Sequence, residues 1–124
     1  MRDAFTEAYL NCALWSMCDD SAPQGGDPLD DNYSVDDISP DTLAAMEDDC
    51  RTFQRDNGED ITSQEKQIGD EGQAGHDFWL TRNGHGSGFW DGYWSQEAGD
   101  RLTKACYVYG GFDLYVGDDG LIHS

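Results

Sequence analysis

Basic residues are scarce in this chain: seven Lys and Arg stand against 26 Asp and Glu, a formal net charge of -19. Phosphate backbones and anionic membranes repel such a surface, so neither direct nucleic-acid binding nor membrane association is expected. No apolar run approaches the roughly 20 residues that cross a bilayer. The opening Met-Arg-Asp-Ala-Phe has no apolar signal core. The four cysteines, Cys12, Cys18, Cys50 and Cys106, lack the paired CxxC spacing of a zinc site and lie in or beside apolar helical patterns. They read as buried free thiols, which implies a reducing cytoplasm. No metal or other cofactor is expected.

A chain of 124 residues, 37% hydrophobic and 12% aromatic, has enough apolar material for one folded domain spanning residues 1–124. The acidity is unevenly spread. Residues 1–75 hold nineteen of the acids and four of the bases, whereas residues 76–124 hold seven acids and three bases. Self-repulsion on this scale costs stability, so the charge calls for an explanation beyond solubility.

Phe5, Ala8, Cys12 and Trp15 recur at helical spacing, with Leu10, Leu14 and Met17 widening the apolar surface, and predict a helix from Ala4 to about Cys18 packed on more than one side. Asp19 to Gly26 reads as a loop. It continues into an acidic stretch, Asp27 to Asp37, anchored by Leu29, Tyr33, Val35 and Ile38. Ser39-Pro40-Asp41 is a helix start with cap, first-position proline and a favourable acid. Leu43, Met46, Cys50 and Phe53 form the buried stripe of that helix, and Glu47, Asp48, Asp49 and Asp56 are expected to form a row of carboxylates opposite. Asn57-Gly58 should close it. Thr62 and Glu65 have capping-box spacing, but with few apolar residues after them and Gly69, Gly72 and Gly75 interrupting, residues 59–75 are expected to form a short helix or a mobile loop.

Phe78 to Arg82, Asn83-Gly84, and Gly88-Phe89-Trp90 read as a β-hairpin with an Asn-Gly turn. Ser95 caps a further helix with Leu102, Ala105, Cys106 and Tyr109 buried, ended by Gly110-Gly111. Phe112 to Val116, Gly117-Asp118-Asp119-Gly120 and Leu121 to His123 form a second hairpin. The expected fold is α+β: helices packed on one face of a small antiparallel sheet made of two hairpins, with residues 1–75 mainly helical and 76–124 hairpin-helix-hairpin.

The run His76-Asp77-Phe78-Trp79-Leu80-Thr81-Arg82-Asn83-Gly84-His85-Gly86-Ser87-Gly88-Phe89-Trp90-Asp91, with Gly99-Asp100-Arg101-Leu102-Thr103 and Asp113 to Gly120, resembles a family of small uncharacterised proteins of bacteriophages and mobile elements. The likeness covers mainly the last 50 or so residues and brings no functional residues with it. It implies the cytoplasm of an infected or host bacterial cell. There, small acidic proteins resemble in role the DNA mimics that block restriction enzymes, CRISPR complexes or repair glycosylases.

Scale fits that role. A compact chain of this length is about 35 Å across. At one charge per roughly 1.7 Å of duplex axis, a net charge of -19 matches about 32 Å of DNA. The residues expected to meet the basic groove of a host nucleic-acid-binding protein are Asp19, Asp20, Asp30, Asp31, Asp36, Asp37, Glu47, Asp48 and Asp49. A salt-adapted surface would also be rich in Asp and poor in Lys.

The alternative is a small metal-assisted or acid-base enzyme built on His76, His85 and Asp91, with Asp77 and Ser87 nearby. His85-Gly86-Ser87-Gly88 lacks the strand-to-helix context of a nucleophile elbow. Calcium loops at Asp113 to Gly120 or Asp56 to Asp60 fail because the loop glycine would put Tyr115 or Phe53 at the first ligand position; hairpin turns account for both. Phe78, Trp79, Phe89, Trp90, Tyr93 and Trp94 have only Arg82 as a basic neighbour. They read as core, with one or two exposed as interface anchors, rather than as a platform for single-stranded nucleic acid.

Overall fold

Among the described residues, local capping chemistry starts three of the four helices. The structure, a computed structural model, describes residues 3–19, 27–68, 72–84, 89 and 94–124, with 18, 19, 27 and 62–68 described by their backbone alone. Helix α1 (Ala4–Ser16) begins where the Asp3 carboxylate accepts the Thr6 amide at 2.9 Å. Helix α2 (Pro40–Ile68) begins at Ser39, whose Oγ accepts the Thr42 amide at 3.4 Å and donates to the Thr42 hydroxyl at 2.9 Å. Helix α4 (Gln96–Tyr107) begins at Ser95, which accepts the Ala98 amide.

The remaining helix corrects the expected first hairpin. Phe78 to Arg82 belong to helix α3 (Gln73–Arg82), and all five are buried. A run without polar alternation fits a helix surrounded by protein as well as it fits a strand. Asn83-Gly84 ends this helix instead of turning a hairpin: Asn83 caps its last turn and Gly84 takes a left-handed φ of 67°. Of the expected return strand only Phe89 lies among the described residues, and its amide donates to Thr81 Oγ1.

The second hairpin is present. Strands β3 (Tyr115–Val116) and β4 (Ile122–His123) pair antiparallel, Tyr115 opposite His123. Gly117 to Gly120 form the turn that joins them, and Gly120 adopts the positive φ of 81° that its position requires. A second antiparallel ladder, β1 (Cys18–Asp19) with β2 (Asp27–Pro28), lies where the sequence reads as loop. The described residues are thus mainly helical, with two separate two-stranded ladders and no continuous sheet on which the helices stack.

The expected stop at Asn57-Gly58 is a kink. Asn57 leaves helical geometry (φ -125°, ψ 19°) and its side chain donates to the Phe53 carbonyl, but the helix resumes to Ile68. Buried Ile61 and the two-pronged pair between Asp60 and Arg101 of α4, at 2.6 and 2.8 Å, hold the second arm in place. Residues 56–60 are therefore a helix kink rather than a hairpin turn.

Helix α1 packs most extensively on α3. Gly75 makes this possible, because a β-carbon there would lie 1.9 Å from the Phe5 carbonyl oxygen. Phe53 and Phe78 stack at 4.1 Å in the centre, with Phe5, Tyr9, Phe89 and Tyr109 around them. One apolar cluster runs from Phe5 to Ile122 and so joins the acidic and the less acidic parts of the chain. Cys12, Cys50 and Cys106 are buried free thiols, and burial pushes all three up, Cys12 and Cys106 to about 12. No helix among the described residues is long and apolar enough to cross a membrane.

Candidate acidic interaction surface

The acidic stretch after β2 is short-range structure pinned by apolar anchors. Leu29 and Ile38 are buried, Tyr33 and Val35 are half-buried, and the backbone between them winds through two short 3-10 turns, Leu29–Asp31 and Val35–Asp37. Asp30, Asp31 and Asp36 are exposed and carry no hydrogen bond or ion pair among the described residues. Asp37 instead accepts the Ser34 amide at 2.8 Å and closes the second turn. Asp41 is exposed at the start of α2, where a carboxylate is favoured by the helix dipole. The segment therefore presents negative charge from fixed backbone.

The expected row of carboxylates on α2 is broken. Asp48 is exposed but bonded to Arg51, and Asp56 is bonded to Arg55, so two bases share the outer face with the acids. Asp49 turns toward the core, where it meets the buried guanidinium of Arg82 at 2.8 Å. Glu47 is half-buried and already engaged within the molecule. Of the other residues expected at the groove, Asp19 is described by its backbone alone, in β1, and Asp20 lies outside the described residues.

All four arginines with described side chains, Arg51, Arg55, Arg82 and Arg101, pair with aspartates. The hydrogen bond from Arg101 holds the Asp60 carboxyl below its usual range, and that from His123 does the same for Asp119 in the β3–β4 turn. Burial would raise Asp3, but its bonds to Thr6 and Gln54 outweigh burial and keep it low. These three carboxylates are structural.

The residues of the enzymatic alternative are not brought together among the described residues. His76 is half-buried on α3, whereas His85, Ser87 and Asp91 lie outside the described residues. Asp77 is buried and accepts from the Trp94 indole at 2.6 Å and from Gln73 at 3.0 Å, a partnership that anchors the chain after the signature. Among the described residues no group of three or more His, Cys, Asp or Glu could hold a metal ion. Phe78, Trp79, Phe89 and Trp94 are core; Trp90 and Tyr93 lie outside the described residues.

One aromatic the sequence placed in the core is outside it. Trp15 is 59% exposed at the end of α1, its ring 6.3 Å from that of His76. Together with Asn11, Asp30 and Gln73 they line a cleft of about 370 Å³ between α1 and the start of α3. A signal for this was present: Glu7 and Asn11 lie on the same side of α1 at i, i+4 spacing, and both are exposed. No known protein family, curated protein or solved structure matches this chain.

Proposed function

We propose that this chain is an acidic, non-catalytic inhibitor of bacteriophage or mobile-element origin. In this reading it occupies the nucleic-acid groove of a host defence or DNA-processing protein, such as a restriction enzyme, a CRISPR complex or a glycosylase, by mimicking duplex charge. One observation carries the reading. Each arginine with a described side chain is neutralised within the fold, while Asp30, Asp31 and Asp36 stand exposed on a segment fixed by Leu29 and Ile38, and Asp41 stands exposed just beyond it at the start of α2. A net charge of -19 held without a competing basic patch of arginines suits a groove lined for phosphates. Asp30, Asp31 and Asp36 are the carboxylates expected at its rim, with Asp37 and Asp49 shaping the scaffold behind them and Asp48 sharing its charge with Arg51.

The test is capture from a bacterial lysate at low and high salt, followed by competition. The captured protein should bind labelled duplex DNA, lose it to this chain, and release the chain as salt rises. Asparagine at Asp30, Asp31 and Asp36 together should weaken that competition by about tenfold, at roughly 0.5 kcal/mol per exposed charge. Capture of no nucleic-acid-binding protein, or competition indifferent to both salt and the triple variant, would sink the proposal.

A further inference from the structure

We infer that the cleft between α1 and α3 is the seat of one arginine side chain from the basic partner. This rests on the proposed reading of the chain as a binder of a basic groove. The walls of the cleft select for a planar cation. The exposed Trp15 indole offers the best aromatic face for a guanidinium, and the His76 ring packs beside it at an interplanar angle of 33°. Asp30 contributes an exposed carboxylate at the rim, an acceptor with no bond among the described residues. Gln73 directs its amide nitrogen to Asp77 at 3.0 Å, which leaves its carbonyl oxygen to accept. Guanidinium is donor-only and planar, so it matches an aromatic face edged by acceptors.

An anion would find Asp30 and the molecule's net negative charge against it, despite the nearby start of α3. An ammonium would gain the charge but not the stacking. Tryptophan and arginine are also among the residues most enriched at the energetic centres of protein interfaces. The cleft thus adds a directional contact to a surface whose other carboxylates act mainly through charge.

The full chain is to be titrated with arginine and lysine homopeptides of equal length, following affinity by calorimetry and the Trp15 indole N–H by NMR. Arginine peptide should bind more tightly than lysine peptide and shift the Trp15 indole resonance, leaving those of Trp79 and Trp94, bonded to Ser16 and Asp77, in place. Trp15→Ala should weaken arginine-peptide binding about fivefold and abolish the preference over lysine, whereas Asp113→Asn, which removes one charge elsewhere, should change it less than about twofold. Trp15 packs on the surface, so the variant should keep its fold, checked by circular dichroism.

Equal affinity for the two peptides, or an unchanged Trp15→Ala, would overturn the inference in favour of diffuse charge. A shift of the same indole by an uncharged aromatic peptide but not by arginine peptide would overturn it in favour of an apolar occupant. Burial of Trp15 in a dimer, seen by sedimentation, would overturn it in favour of a second copy. The two proposals part cleanly. Groove competition without any Trp15 effect sinks the cleft alone, whereas arginine seated on Trp15 with no groove-bearing protein captured sinks the proposed function alone.

Discussion

Arg82 has only 3% of its side chain exposed and donates to four acceptors: the Tyr9 hydroxyl, Asp49, and the carbonyls of Tyr109 and Gly110. Its guanidinium also lies 5.2–5.5 Å from the ring centres of Phe78, Tyr109 and Phe112. One side chain therefore ties α1, α2 and α3 to the glycine turn after α4. Arg82→Met should cost about 3 kcal/mol in urea unfolding, because it leaves Asp49 and two carbonyls without their donor. Asp49→Asn should cost less, since that carboxylate is 31% exposed and water can replace part of the pair. An Arg82→Met loss no greater than that of Asp49→Asn would show that the three carbonyl and hydroxyl bonds contribute little. In the sequence Arg82 reads as the single base near an aromatic run; its partners are 27 to 73 positions away, so no local signal could announce them.

Among the elements, the contrast between two helical glycines carries a prediction. A β-carbon at Gly58 would meet nothing within 4 Å, whereas one at Gly75 would strike the Phe5 carbonyl. Gly58→Ala should raise stability by about 0.5–1 kcal/mol through helix propensity, with the kink at Asn57 and the Ile61 and Asp60–Arg101 contacts kept. Gly75→Ala should lower it by about 2 kcal/mol as α1 and α3 are forced apart. Thermal melts of both variants decide the matter, and equal effects would contradict the close α1–α3 contact. The starts of α2 and α4 and the β3–β4 turn were legible because Ser39, Ser95 and Gly120 act within a few residues of themselves, whereas α1 was legible from its apolar spacing and not from its Asp3 cap. Helix α3 was not, because a run buried on every side carries no period to read. The Asn57-Gly58 stop signal was real locally but was overruled by Ile61 and the Asp60–Arg101 pair.

For the molecule as a whole, repulsion and acid-linked stability pull in opposite directions with pH. As pH falls toward the ordinary carboxylate range, the net charge of -19 begins to be relieved, so at low salt stability should rise slightly on the approach to about pH 5. Asp3, Asp60 and Asp119 have carboxyls held below 3.8 in the folded state. Their contribution is present above the unfolded value and is lost as pH falls through the folded values, so stability should drop again below about pH 4. At pH 7, added sodium chloride should raise Tm by about 5 °C, corresponding to roughly 1 kcal/mol of screened repulsion. Melting curves across pH and salt test both limbs. A Tm that falls with salt at pH 7 would mean that the ion pairs outweigh the repulsion.

The Trp15 cleft belongs to the same scale, since it needs α1, α3 and the Leu29 turn in register. By itself the sequence determined the charge and its concentration before His76, the helix caps, the glycine turn and the apolar anchors of the acidic stretch. Each depends on composition or on neighbours a few residues apart. Only the tertiary structure decided that Asp49 serves Arg82, that Phe78 to Arg82 lie in a buried helix, and that Trp15 lines a cleft with Asp30, Gln73 and His76. Whether a side chain is buried or presented depends on which helix packs over it, and those partners are distant in the chain.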